Sequence, residues 1–309
     1  MDGKLKKVLV YTMLLTWLLA VTLPLAWVFL NSLRTSREFS ENPFGIPWVF
    51  TGIPEAQHSP GMLTAWEAVK QNYHNAWVES NFSNFFFNSI YVTGFSLIGV
   101  LAVSAMAAYV LARFPFRGSH FMYMYFLCGM MIPAQLLLVP LFFQFSWMSD
   151  FGSMFTAPFG YALQLHDTHT GIITIYIALS LSFTILVLTG FFKSLPEELR
   201  EAGIIDGCGE YRVFWHVMLP LARPGLVTAA IFNFIGLWNE YLFALVFLNT
   251  PEKKTLPLGL AAVSMQAQYR TDFGLMFAGL VIVIVPTLIV YMFLQRQLTQ
   301  GITIGALKG

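Results

Sequence analysis

Apolar side chains fall along this chain in six long stretches, at positions 8–30, 89–112, 121–145, 171–192, 225–248 and 273–294. A helix needs about 20 predominantly apolar residues to cross the hydrocarbon core of a bilayer, so each stretch predicts one membrane span. Together they take up 140 of the 309 residues. Residues 156–165 are too short and too interrupted to add a seventh. Membrane β-barrels alternate apolar and polar positions with period two, and continuous runs such as residues 281–285 do not. The pattern predicts an all-α membrane protein with six transmembrane helices. Lys4, Lys6 and Lys7 precede the first stretch, which is too long for a cleaved leader and is read as a retained span. The chain then divides into residues 1–30 (N-terminus and first span), 31–88 (an extracytoplasmic segment), 89–294 (spans two to six) and 295–309 (a C-terminal tail).

Composition agrees with this reading. Apolar types make up 57% of the sequence and charged types 11%, against about 25% charged in a soluble domain. A net charge of +1 gives no reason to expect nucleic acid as a partner. Cys128 and Cys208 are too few for a disulfide framework and belong to no metal-type cluster. Lys and Arg decide orientation. With a cytoplasmic N-terminus, the inner segments hold 11 basic residues in 62 positions and the outer segments 6 in 107. That is the asymmetry of the positive-inside rule, and it places both termini in the cytoplasm.

The polar stretch between spans four and five, residues 194–223, carries the most specific pattern. Ser194-x-x-Glu197 has capping-box spacing and Pro196 suits a first helical turn. Leu199, Ala202, Gly203 and Asp206 follow at i, i+3, i+4 and i+7, predicting a shared helix face that is small and lightly polar. Gly207 ends that helix. A second short helix then has Tyr211, Phe214, Trp215 and Met218 on one face, until Pro220 and Pro224 break the chain. Two short helices joined at Asp206-Gly207 have the form of a docking element.

Glu201-Ala202-Gly203-x-x-Asp206-Gly207, followed by Phe214-x-x-Val217-x-Leu219-Pro220, resembles the EAA loop of ABC importer permeases. Gly203 and Cys208 stand where that family usually has alanine. Asn31-Ser32-Leu33-Arg34, Asn42-Pro43-Phe44, Met131-Ile132-Pro133, Val139-Pro140-Leu141, Trp238-Asn239-Glu240 and the tail from Gly301 to Gly309 extend the likeness to the sugar-importer branch, which includes the smaller maltose-type permease. The resemblance implies a type I ABC importer permease fold in a bacterial or archaeal cytoplasmic membrane. It further implies a second permease subunit, two ATPase subunits, an extracytoplasmic substrate-binding protein and a sugar substrate. Glu201, Ala202, Gly203, Asp206 and Gly207 would dock an ATPase. Gly305, Lys308 and Gly309 would reach the ATPase interface, and residues near 259–264 would reach the binding protein. The sequence lacks G-x-x-x-x-G-K-[ST], so no cofactor is expected in this chain and ATP with Mg is expected in partners. The chain is thus expected to be non-catalytic.

Glu240 is the only acidic residue inside a span, and no span contains Lys or Arg. It lies ~24 Å along the fifth stretch from its N-terminal end, at 1.5 Å per residue. An intramembrane carboxylate marks a functional site by default, so Glu240, with Asn233, Trp238, Asn239 and Gln135, forms a set of pore or substrate candidates. An interhelical hydrogen bond that fixes the pair of permeases is the competing reading for Glu240. Gln144, Ser180, Ser182 and Thr184 are weaker pore candidates, and Ser104 with Ala108 marks a packing face. His166 and His169 lack further metal ligands. An ion-coupled secondary transporter would show inverted repeats and paired intramembrane charges, which this sequence does not. It stays open as an alternative, as does a polyol or glycerol-phosphate substrate.

Overall fold

The computed structural model describes residues 3–53, 64–156, 164–270 and 272–306. Among these the regular structure is helical. Helix α1 covers Gly3–Ser32, and three short helices follow: α2 (Ser36–Glu41), α3 (Trp48–Thr51) and α4 (Ala65–His74). Helix α5 is Phe82–Arg113, α6 is Ser119–Met131, α7 is Leu138–Thr156 and α8 is His169–Ser194. Then come α9 (Glu198–Ile205), α10 (Glu210–Val213), α11 (Leu219–Leu221) and α12 (Arg223–Trp238). Helices α13 (Leu242–Phe247), α14 (Leu256–Arg270) and α15 (Phe273–Ala306) complete the chain.

Four of the expected spans are single helices long and apolar enough to cross a membrane: Lys4–Ser32, Phe82–Arg113, His169–Ser194 and Phe273–Phe293. The other two are broken. In the third stretch, Ser119–Met131 and Ala134–Met154 meet at 95°. Pro133 lacks an N–H and disfavours helical geometry at the residue before it, and Ile132 is accordingly extended (φ −86°, ψ 117°). The fifth stretch is not one helix either. Residues 210–221 bend by 72° into α12, α12 stops at Trp238, and α13 starts afresh at Leu242. The tail differs from expectation as well. Its backbone continues α15 as far as Ala306, which places Gly305 in a helix, while Lys308 and Gly309 lie outside the described residues.

Two compact units make up the chain, one of Met1–Asn84 with Gly259–Pro286, the other of Phe85–Leu258 with Thr287–Gly309. In the first, Trp27 near the end of α1 packs edge-on to Phe277 with ring centroids 5.4 Å apart. Phe39 of α2 packs on Phe273 and Phe277. Arg34 is 2% exposed and donates to the carbonyls of Asn42 and Gly45. Glu38, also buried, accepts the Trp48 N–H at 2.7 Å. These bonds shape the chain after α1 into a folded segment. Thr64 and Glu67 close a capping box at the start of α4.

The second unit holds two apolar clusters. One gathers Val92, Ile172, Ile175, Tyr176, Phe243, Phe247 and Leu258. The other gathers Tyr109, Leu188, Phe192, Val213, Phe214 and Met218 beneath the 194–223 loop. Between helices in lipid, close packing replaces the hydrophobic effect as the source of cohesion. Small residues make it possible here. A Cβ on Gly129 of α6 would lie 2.5 Å from the Ser182 hydroxyl of α8, and one on Gly225 of α12 would lie 2.4 Å from the Phe191 ring. Ser182 thus takes part in the packing of α6 on α8.

Candidate functional site

Helix α9 ends in a Schellman turn. Gly207 lies at φ +82°, its N–H reaches Ile204 O at 2.9 Å, and Cys208 N–H reaches Gly203 O at 3.0 Å. Those two bonds satisfy carbonyls that a helix end leaves open, and only glycine adopts the left-handed position without strain. The turn sends the chain back along α9 into α10. Glu201, Ala202, Asp206 and Gly207 are all exposed. Gly203 is not: it is buried, and a Cβ there would lie 3.1 Å from Val213 Cγ2. The expected shared face therefore separates, with Leu199, Ala202 and Asp206 outward and Gly203 inward, because α10 folds under α9.

Two further local expectations give way. Ser194 is the last residue of α8 and donates to Phe191 O at 2.8 Å, so it caps nothing. Glu197 begins α9 without a side-chain cap. Its carboxylate instead accepts Arg113 Nη1 at 2.5 Å and Arg200 Nη1 at 2.8 Å. After α10 the backbone widens into a π-turn over Phe214–Met218. The extra residue rotates the pattern, so Val213, Phe214 and Met218 are buried while Tyr211 and Trp215 are 76% and 41% exposed. A 3.6-residue period could not foresee that shift.

The charged residues behind α9 form a connected set. Arg200 makes a two-pronged contact with Glu210 through Nε (3.2 Å) and Nη2. Its guanidinium carbon lies 5.1 Å from the centre of the Phe114 ring. Hydrogen bonding to Glu210 outweighs partial burial and, with Glu197, raises the Arg200 pKa above its ordinary value. Glu210 also accepts the Tyr109 hydroxyl at 3.2 Å. Arg113, the last residue of α5, donates to the Phe192 and Leu195 carbonyls at 2.6 Å each. It thus caps the end of α8 with a positive charge. Arg113, Arg200, Glu210 and Tyr109 had no signal in the sequence beyond ordinary loop charge.

A second candidate site is a cavity of about 270 Å³ bordered by α8, α12, α13 and the Pro133 break. Gln135, Tyr176, Ser180, Asn233 and Glu240 line it together with Phe232 and Gly236. The expected set is partly assembled: Gln135, Asn233 and Glu240 meet here. Trp238 does not line it, being buried and stacked on Phe234. Asn239 is exposed and donates to Ile235 O. Nor does Gln144 line it. Asn233 Nδ2 donates to Thr184 Oγ1 and Ala229 O, both at 2.8 Å.

Glu240 explains the break in span five. Its Oε1 accepts Phe243 N–H at 2.8 Å, and its Oε2 accepts Ala244 N–H at 3.2 Å and the Tyr176 hydroxyl at 2.5 Å. The carboxylate caps α13 and fastens it to α8. The interhelical hydrogen bond foreseen for Glu240 is therefore real, but it joins two helices of this chain. Asn233 and Gln135 supply amide groups on the same cavity wall, which suits them to hydroxyl-bearing ligands.

At the other end of α8, Asp167 stands at φ +52° and organises residues 249–253. It accepts the N–H groups of Asn249 (2.8 Å) and Thr250 (2.9 Å), the Thr250 hydroxyl, and Lys253 Nζ at 3.2 Å. Burial alone would raise its pKa, yet the bonds from Thr250, Lys253 and Asn249 bring it down to about 2. His166 and His169 have separate partners, Ser146 and Phe142 O for the first and Lys253 O for the second.

Residues 96–304 match the family described as "Binding-protein-dependent transport system inner membrane component". The chain is 37% identical to the diacetylchitobiose uptake system permease protein NgcG of Streptomyces coelicolor, over 96% of this chain and 88% of that protein. It is 31% identical to the arabinooligosaccharides transport system permease protein AraQ of Halalkalibacterium halodurans, over 96% and 98%. Among solved structures it is similar in fold, at TM-score 0.72 and 21% identity, to a chain of a bacterial ABC transporter involved in the import of the acidic polysaccharide alginate. That match covers 95% of this chain and 96% of the other. Because the likeness runs through the spans and the loop between the fourth and fifth alike, this chain belongs to the inner membrane permeases of binding-protein-dependent ABC importers.

Proposed function

We propose that this chain is one of two permeases in an importer of sugars or oligosaccharides, with two ATPase subunits docked on α9 and a binding protein delivering substrate from outside. The observation that carries the docking assignment is the exposed set Glu201, Ala202, Asp206 and Gly207, held in one conformation by the Schellman turn. A short helix with small outward side chains lets a partner approach closely, and a fixed turn lets it push without deforming the element. The relatives named for diacetylchitobiose and arabinooligosaccharides support the substrate class. The amides of Gln135 and Asn233 and the carboxylate of Glu240 give a passing sugar hydrogen-bond partners inside the membrane. ATP and Mg are bound by the ATPases, since this sequence has no P-loop, and this chain is the non-catalytic subunit. The basic-residue asymmetry supports cytoplasmic termini in a cell inner membrane, with residues 305–309 reaching the ATPases and residues 31–88 and 249–272 facing the binding protein.

In this reading ATP-driven closure of the ATPases moves α9, and the spans joined to it turn the passage outward. The test is co-purification of the ATPases together with uptake of labelled diacetylchitobiose and arabinooligosaccharides. Glu201→Lys should lose both by reversing the charge on the exposed face of α9, and Gly207→Val should lose both because a β-branched residue at positive φ costs on the order of 1–2 kcal/mol. Gly207→Asn, which tolerates that conformation, should keep both. Normal ATPase retention and uptake in the Glu201→Lys and Gly207→Val variants would overturn the assignment.

A further inference from the structure

The charges behind α9 form a closed circuit. It starts at Arg113, passes to Glu197 and then Arg200, continues to Glu210, and returns to α5 at Tyr109. Tyr109 and Arg113 are four residues apart on one helix, so both ends of the circuit lie on the same face of α5. Signs alternate along it, and each acidic residue bridges two donors. Arg113 is 7% exposed, and Arg200 is 18% exposed. Through the Phe192 and Leu195 carbonyls, Arg113 also holds the end of α8. Glu201, Ala202 and Asp206, the exposed residues of α9 assigned above to docking, are not among the members of this circuit.

We propose that Arg113, Glu197, Arg200 and Glu210 are positioning residues that clamp α9 to the ends of α5 and α8, so that all three move as one body when the ATPases act. This inference rests on the docking reading above. Covalent connection supplies only part of the clamp: α9 continues from α8 only through 195–197, a turn whose Leu195 carbonyl is itself held by Arg113. No covalent link joins α9 directly to α5; the apolar cluster around Tyr109, Phe192 and Phe214 packs α5 on α8 and on the chain after α9, and the circuit adds polar ties from α9 itself to both helices. Arginine suits the central position, because its planar fork grips Glu210 with two nitrogens while Nη1 holds Glu197, which a lysine cannot do.

The experiment uses the full complex of both permeases and ATPases, with Cys128→Ser and Cys208→Ala, and spin labels on Val110→Cys of α5 and Glu198→Cys of α9, both exposed positions. With the circuit intact, the distance between labels should be narrowly distributed and equal in the nucleotide-free and ATP–vanadate-trapped states. Arg200→Gln should broaden it and make it change on trapping. In the same proteoliposomes, uptake of labelled diacetylchitobiose or arabinooligosaccharide per ATP hydrolysed should fall about fivefold, equivalent to about 1 kcal/mol at 1.4 kcal/mol per decade. Arg200→Lys should restore it only in part, and Glu210→Gln, which keeps the shape, should reproduce the defect if Arg200→Gln fails to assemble. Retained co-purification of the ATPases in these variants separates loss of coupling from loss of docking. An unchanged label distance and an unchanged uptake ratio in both Arg200→Gln and Glu210→Gln would overturn the proposal.

Discussion

Replacing Tyr176 by Phe tests what keeps span five broken. The hydroxyl donates to a carboxylate at 2.5 Å, and the same Glu240 accepts two backbone N–H groups that begin α13. Hydrogen bonds to a charged group contribute about 1.5–3 kcal/mol. Tyr176 is 2% exposed, so water does not replace the lost donor at the ring's position. Taking about 2 kcal/mol, and about 2–4 °C per kcal/mol for a unit of this size, the purified complex should melt about 4–8 °C lower. Glu240→Gln should cost at least as much, because its amide turns an N–H toward one of the two backbone donors it must satisfy. The double variant should fall short of the sum by roughly the shared bond, since residues in one network do not add. The assay is a thermal melt in detergent at fixed scan rate, as membrane complexes unfold irreversibly. Strict additivity, or an unshifted melt for Tyr176→Phe, would refute the claim that this bond fastens α13 to α8.

Gly171→Ala should be among the most damaging single methyl additions, because the new Cβ would lie 1.9 Å from Leu165 O, a backbone atom that cannot rotate away. Overpacking of this kind costs about 1–3 kcal/mol or more, read as a lower melting temperature and reduced yield. Arg34→Lys should loosen the segment after α1, since one ammonium cannot hold the Asn42 and Gly45 carbonyls together; limited proteolysis within residues 36–53 should quicken. Asp167 has its folded pKa lowered from 3.8 to about 2, so its contribution is complete above pH 4 and is lost as pH falls toward 2. Protection of the Asn249 and Thr250 amides from hydrogen exchange, relative to the intrinsic rate at each pH, should fall across that window in the native chain and be low throughout in Asp167→Asn; a flat protection profile in the native chain would count against it.

Four spans were legible because hydropathy depends only on composition over a window, and α1, α5, α8 and α15 are continuous within theirs. The same averaging hides a change of direction. In the third stretch the cue was present, since Ile132 precedes Pro133, yet apolar content stays high on both sides of the bend. In the fifth, the sequence marks Glu240 as an intramembrane carboxylate, a pore candidate or an interhelical bond, and its role as the cap that lets α13 start afresh follows only once the Phe243 and Ala244 N–H groups are placed beside it. The loop pattern located α9 and its Gly207 turn. It assigned Gly203 to the wrong face because the packing of α10 beneath α9 is tertiary information. The circuit behind α9 was out of reach for a related reason: Arg113 and Glu197 are 84 positions apart in sequence and 2.5 Å apart in space.

Residues 4–24 of α1 are exposed at every position. A helix satisfies its own backbone hydrogen bonds, so in lipid this stretch asks nothing of the rest of the chain. Its order of appearance then acquires a meaning for biogenesis. It can enter the bilayer as it leaves the ribosome and wait there, while the broken third and fifth spans cannot settle until α8 has been made. A nascent chain stalled once residues 4–24 have cleared the ribosome should already resist extraction by alkaline carbonate.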